Sequence, residues 1–196
     1  MSEHWIQTMK GTRFDLLEPD PAMLDIEEIA HALSLLCRFT GHVRQFMSVA
    51  QHSVMVARII ERLDDGVHLN SQLAYDGLMH DATEAYVGDV ARPLKRLLPD
   101  YKRIEDGIAG AIAQRFSVTN PLPELVKVAD NVSLLWERRD LMALPPESWS
   151  EESVIALVPD EILVPWEPKT AEHMFLGTFE RLSPRNSIQE GTTSHG

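Results

Sequence analysis

The sequence predicts an all-α fold, one domain of packed helices over residues 1–182 with a polar tail at 183–196. Apolar residues recur at three- and four-residue spacing through most of the chain, as one-sided helices require. Acidic cap signals, glycines and prolines punctuate those stretches at helix-like lengths. At 196 residues and 44% hydrophobic, the chain can bury one sizeable core, and a second domain would be cramped.

Taken in order, PDPA at 19–22 makes a turn, and Asp25 with Glu28 forms a D-x-x-E pattern that can cap a helix over about 25–37. Ile29, Leu33 and Leu36 lie on one side of it. The stretch RFTGHVRQFM at 38–47 has a glycine and no steady period, so it reads as a polar loop. A second helix, about 48–63, carries His52, Val56, Ile59, Ile60 and Leu63 at helical spacing, which turns His52 inward. DDGVHLN at 64–70 is a turn, and a third helix over about 71–86 gathers Leu73, Gly77, His80, Asp81 and Glu84 on one side. Gly88 and Pro93 lead out of it.

A helix over 100–116 follows from Ile104, Ile108, Ile112 and Phe116, and NPLP at 120–123 ends that stretch. The next helix, about 124–142, has an apolar stripe of Leu125, Val128, Ala129, Val132, Leu135 and Trp136. Asp130 falls outside the stripe. Val126 and Leu134 flank it, however, so its side too can be covered by protein in the middle of a bundle. VIALV and ILVPW, short β-branched runs around a PDE turn, predict a small hairpin near the C-terminus with the Pro165 run on an edge. A last helix over about 169–182 carries Met174, Phe175 and Phe179. SPRNSIQEGTTSHG then reads as a flexible tail.

A net charge of −12 argues against a nucleic-acid polymer as partner, because affinity for a polyphosphate backbone comes from clustered Lys and Arg. It leaves room for a small phosphorylated ligand, since a metal and a few cations can reverse the local potential of a cleft. The single cysteine, Cys37, excludes an intrachain disulfide and any CxxC site, and as a small buried hydrophobe it fits a reducing cytosol. MSEHWIQTMK has no apolar run, and no segment approaches a membrane span. These features lead us to expect a cytoplasmic protein without a membrane partner.

The residues that carry chemistry are His52, His80, Asp81 and Asp130. Two imidazoles and two carboxylates offer nitrogen and oxygen ligands suited to one divalent Co, Mn, Zn, Fe or Ni ion, with positions left for water and a substrate oxygen. Adjacent helical residues point about 100° apart, so His80 and Asp81 can serve one ion only if flanking helices bring the rest. Such an ion polarises a phosphoryl oxygen and lowers the pKa of water. Glu84, one turn beyond the pair, could handle the proton of that water. Each residue alone has an ordinary role: a satisfied core histidine, a solvated helix acid.

The string MHDATEAYVGDVARPLK with VKVADNVSLLW, in the order H…HD…D, resembles the HD-domain metal-dependent phosphohydrolases. It is most similar to the branch of YfbR-like 5′-deoxynucleotidases and small phage-type deoxynucleoside triphosphate triphosphohydrolases. The resemblance runs from about Arg38 to Leu141. It implies an HD-type helical bundle, a single ion held by His52, His80, Asp81 and Asp130, and Glu84 acting on the attacking water. It also implies that Arg38 holds phosphate, that Phe39, where the branch has tryptophan, lies near the sugar, and that Asp89 is the other sugar-side residue. Lys95 is a second phosphate contact on the same reading. The polar-loop residues His42 and Arg44 can reach a longer phosphate chain or stand as exposed loop charges. Members of this branch are often homodimers.

The expected function is therefore hydrolysis of small deoxynucleotides, either removal of phosphate from a monophosphate or of tripolyphosphate from a triphosphate such as dATP. A non-catalytic nucleotide or metal sensor is the alternative. Retention of Glu84 argues against it, since binding alone needs no group to handle the water's proton. An interaction module with incidental His and Asp residues is a third reading. His31 and His68 read as structural.

Overall fold

The chain begins with a short antiparallel hairpin that the apolar periodicity does not reveal. In the computed structural model, which describes residues 3–63 and 71–184, β1 (Trp5–Gln7) pairs with β2 (Arg13–Asp15) in the register Trp5↔Asp15, Ile6↔Phe14 and Gln7↔Arg13. Three-residue strands are too short for a two-fold pattern to stand out. The hairpin is held from below by a buried acid, because Glu28 accepts hydrogen bonds from Thr8 Oγ1 and the Lys10 amide, both at 2.6 Å. Phe14 is buried and stacks on Tyr86 at 4.1 Å.

The rest is mostly helical. Asp25 caps α1 (Ile26–Leu35), its Oδ1 accepting from the Glu27 and Glu28 amides at 2.8 and 3.3 Å. Only half of the D-x-x-E expectation applies, since Glu28 serves the hairpin. The polar loop is a 3-10 turn at Arg38–Gly41 with Phe39, Thr40 and Gly41 at φ of +55°, +54° and +81°. Cys37, half-buried, bridges to Ser48 as the loop closes. Then comes α2 (Val49–Leu63), buried on nearly every side along its first two turns.

α3 (Ser71–Met79) packs against α2 at Gly77. A methyl group there would stand 2.4 Å from Ile60 Cδ1, so the missing side chain is what lets the two helices close up. The predicted continuous helix over 71–86 is corrected here, because α3 stops at Met79 and a four-residue α4 (Glu84–Val87) follows a tight turn. The cause is local. His80 Nδ1 donates to the Gly77 carbonyl at 2.7 Å, which a continuing helix would have bonded to the Asp81 amide. Gly88, at φ +79°, ends α4, and a short α5 (Arg92–Lys95) begins just before Pro93.

α6 (Pro99–Phe116) and α7 (Glu124–Leu141) match the expected helices within a residue. Val126 and Leu134 are buried along with the Ala129–Val132–Leu135 stripe, so α7 is covered on both sides. α8 (Pro168–Leu182) closes the bundle against α1, α2 and α3, with Phe175 fully buried. One buried cluster runs from Phe14 to Leu182.

The predicted C-terminal hairpin does not form. VIALV lies in a 3-10 segment, Ser150–Leu157, packed on α7, and ILVPW runs as an extended strap. The strap's backbone is satisfied by side chains instead of a partner strand. Gln51 bonds the Val164 carbonyl and the Trp166 amide at 2.9 and 2.8 Å, Asp140 accepts from the Leu163 amide at 2.7 Å, and Trp136 donates to the Glu161 carbonyl at 2.9 Å. With these four backbone groups bonded to side chains, the segment is held without a ladder. The expected turn at 64–70 with His68, and all of the expected tail beyond residue 184, lie outside the described residues.

Candidate metal centre

Three helix-borne segments deliver the four expected ligands to one point. His52, fully buried on α2, presents Nε2 at 3.3 Å from His80 Nε2, 3.5 Å from Asp81 Oδ2 and 3.3 Å from Asp130 Oδ1. His80 Nε2 is 3.2 Å from Asp81 Oδ2 and 4.0 Å from Asp130 Oδ1. The tight turn after α3, rather than a helical face, brings His80 and its neighbour Asp81 to the same point. Asp130 reaches it from the middle of α7, opposite the apolar stripe.

The hydrogen bonds behind the ligands settle which ring atoms face inward. A backbone carbonyl can only accept, so the bond to Gly77 puts the His80 proton on Nδ1 and leaves Nε2 with a lone pair. His52 Nδ1 lies 2.5 Å from Glu137 Oε1, and Arg38 and His52 keep that buried acid ionised below its ordinary range against the opposing effect of burial. A carboxylate accepts, so His52 donates from Nδ1, and in its neutral form the ring turns the Nε2 lone pair to the centre. Backing of this kind fixes a histidine's tautomer for metal binding.

With both rings neutral, two lone pairs would face each other at 3.3 Å between two carboxylates, an arrangement that calls for a positive charge, a proton or a metal ion. Burial and Arg38 oppose a proton on His52, yet Glu137 and Asp130 outweigh them and push its pKa up to about 10. Burial likewise works against the charges of Asp81 and Asp130, but the two histidines hold both acids below the usual range. A divalent cation would meet the same demand. His52, His80 and Asp81 could hold one, their donor atoms all lying within 4.8 Å of one another, and Asp130 adds a fourth donor. The nitrogen and oxygen set suits Mn, Fe, Co, Ni or Zn.

Around this centre opens a cleft of about 570 Å³ lined by Arg38, Phe39, Glu84, Asp89 and Lys95, the substrate-side and catalytic residues expected from the sequence. Arg38, buried, donates from Nε to Glu137 Oε2 at 3.1 Å and reaches Asp89 Oδ2 from Nη1 at 3.4 Å. The strained turn aims Phe39 into the cleft under the Arg38 guanidinium, with Trp149 6.3 Å beyond. Glu84 on α4 is buried, and burial together with Asp81 and Asp89 raises its pKa well above the carboxylate norm despite Lys95 and Arg38. Its Oε2 has no hydrogen-bond partner among the described residues. Lys95 stands 3.4 Å from Glu84 Oε1 and 2.7 Å from Glu105 Oε1. Burial also raises Asp89, with Asp81 adding to it and Arg38 opposing. His42 lines the cleft; Arg44 is not among its lining residues.

Sequence reasoning missed Glu137, Ser133, Arg92 and Trp149. Arg92 binds the outer oxygen of Asp130, Asn131 Oδ1 at 2.9 Å and Glu151 Oε1 at 3.2 Å, tying the 3-10 segment to the metal-facing helix. A signal for Glu137 was present: it follows Asp130 by two helical turns and so lies on the same side of α7.

The fold and this cluster define a mostly helical protein with a candidate two-histidine, two-aspartate metal centre. The chain is 38% identical over 181 residues to the uncharacterized protein YfdR of Escherichia coli, covering 91% of this chain and 96% of that one. A second uncharacterized protein, from Rhodobacter capsulatus, is 33% identical over 171 residues, 84% of this chain and 85% of its own. The chain belongs to the YfdR family. No family model matches it. Among the described residues no helix is long and apolar enough to cross a membrane.

Proposed function

We propose that the protein is an HD-type, metal-dependent phosphohydrolase of small deoxynucleotides. The observation that carries this reading is the convergence of His52, His80, Asp81 and Asp130 beside a cleft lined by Arg38, Arg92, Lys95 and Arg96 and by Glu84, whose Oε2 has no hydrogen-bond partner among the described residues. When bound, a divalent ion would polarise a phosphoryl oxygen and supply water as a nucleophile near neutral pH. Arg38 lines the cleft with Nε anchored on Glu137 and Nη1 near Asp89, so it can meet phosphate with a fixed guanidinium. Glu84 Oε2 is the atom available to take or return the proton of the attacking water, and Lys95 balances the charge beside it. Phe39 and Trp149 give the nucleoside an apolar wall, and Asp89 can accept from a sugar hydroxyl.

The net charge of −12 favours such a small ligand over a nucleic-acid polymer, and the lone cysteine suits the cytoplasm. The family resemblance adds a homodimer to this reading. A panel of nucleotides assayed with Co, Mn, Zn and Mg, with every phosphorus product identified, tests it. Orthophosphate from dAMP marks a monophosphatase and tripolyphosphate from dATP a triphosphohydrolase. A metal-loaded protein that binds nucleotides and turns over none of the panel is a sensor, and the proposal fails.

A further inference from the structure

We infer that Glu137 is a positioning residue that ties the metal-facing His52 to the anion-facing Arg38 through a single carboxylate. This rests on the metal-centre reading above and goes beyond it, because Glu137 touches neither the candidate ion position nor the cleft. Its side chain is fully buried on α7 and its two oxygens are divided between the two halves of the site. Oε1 takes His52 Nδ1 at 2.5 Å and the Ser133 hydroxyl at 2.8 Å. Oε2 takes Arg38 Nε at 3.1 Å.

The residue type is dictated by those partners. All three groups donate, and they approach from three separate segments: the turn after α1, the second turn of α2, and α7 itself. Only an ionised carboxylate accepts on both oxygens at once. A glutamine of the same shape would have to aim an N–H₂ at either His52 or Arg38, both already donors. It could satisfy one half of the site and would repel the other. Arg38 sets its guanidinium against the buried carboxylate, Nε 3.1 Å from Oε2, so each charge offsets the other in the interior. By holding Nε, Glu137 fixes the plane of the Arg38 guanidinium, whose Nη1 lies 3.4 Å from Asp89 at the cleft, and it orients the His52 ring so that Nε2 meets the other candidate ligands.

The test uses the full-length protein and two binding titrations that do not need turnover: Co²⁺ or Zn²⁺ with metal-free protein, and inorganic phosphate with metal-loaded protein. Glu137→Gln is expected to weaken metal binding by roughly 10- to 100-fold, the usual range for a histidine's carboxylate partner, and to weaken phosphate binding as well. In an Arg38→Ala background, adding Glu137→Gln should weaken phosphate no further, because the arm through which Glu137 acts is gone, while the metal defect persists. Additive losses of phosphate affinity in the double variant, or a wild-type metal affinity in Glu137→Gln, overturn the proposal. If Glu137→Gln does not fold, Glu137→Asp keeps the charge but shortens the reach. Both affinities should then drop, and either one left unchanged overturns it. Nucleotide turnover decides the phosphohydrolase reading separately, since a wild-type protein that binds metal and phosphate but hydrolyses nothing leaves this linkage intact.

Discussion

The floor and the rim of the cleft are built differently. The floor consists of His52, Asp130, Ser133 and Glu137 on long helices and His80 and Asp81 on the turn where α3 ends, with His52 Nδ1, His80 Nδ1 and the Ser133 hydroxyl each held by a fixed partner. The rim consists of Phe39, Arg92, Lys95 and Trp149 on short turns and four-residue helices, with Arg92 42% exposed on its side chain. A floor of this kind holds one geometry, as ligation requires. The rim can adjust to what enters, so changes on the floor should remove function and changes on the rim should tune it.

The largest effect is expected from the floor. Asp81→Ala or Asp130→Ala should abolish stoichiometric metal and reduce hydrolysis to background, as read by elemental analysis and phosphate release. Retained metal in both variants would mean that the floor is not a ligand set. Next comes Glu84→Gln, which should keep the metal and lower kcat by roughly 10²- to 10⁴-fold, the usual worth of a positioned acid or base. Normal turnover in that variant removes Glu84 from the chemistry.

Glu84 also sharpens the contrast through stability. Its folded pKa lies above its ordinary value of 4.5, so the metal-free fold is favoured at low pH and loses that contribution as pH rises through the raised value. Metal-free Glu84→Gln should therefore melt higher than metal-free wild type at pH 8, and the difference should vanish near pH 4. A lower Tm for the variant at pH 8 contradicts the assigned burial penalty.

The middle of the scale falls at the junction of floor and rim. Arg38→Ala should raise KM by roughly 10- to 100-fold, corresponding to a loss of about 1.5–3 kcal/mol for a charged hydrogen-bonding group. At the outer rim, Arg92→Ala removes partly exposed ion pairs worth up to about 1 kcal/mol, so KM should shift by no more than about five-fold. An Arg92 effect larger than that of Arg38 would reverse the division drawn here.

The sequence exposed the four candidate ligands more fully than the groups that hold them in place, and for physical reasons. His52 sits within a clean helical stripe, and HD with Glu84 and the later Asp130 form the order that carries the family resemblance, so the four candidate ligands could be named from the sequence. The break after Met79 could not, because it depends on the His80 side chain bonding the Gly77 carbonyl, and no period reports that. The strap over 158–166 misled for a related reason. Its β-branched residues look like strand, but Gln51, Trp136 and Asp140, from helices far away in sequence, satisfy its backbone. Glu137 was hidden in the run WERRD, where an acid among arginines reads as a solvated face. Its burial comes from Arg38 and His52 arriving from elsewhere in the chain.

The measurement that bears most directly on the central claim is the metal content of chelator-free protein after incubation with Mn, Fe, Co, Ni and Zn in turn. The account predicts one tightly held ion per chain for at least one of these metals, lost in Asp130→Ala. Protein that retains none of them, or that retains the same ion without Asp130, would contradict it.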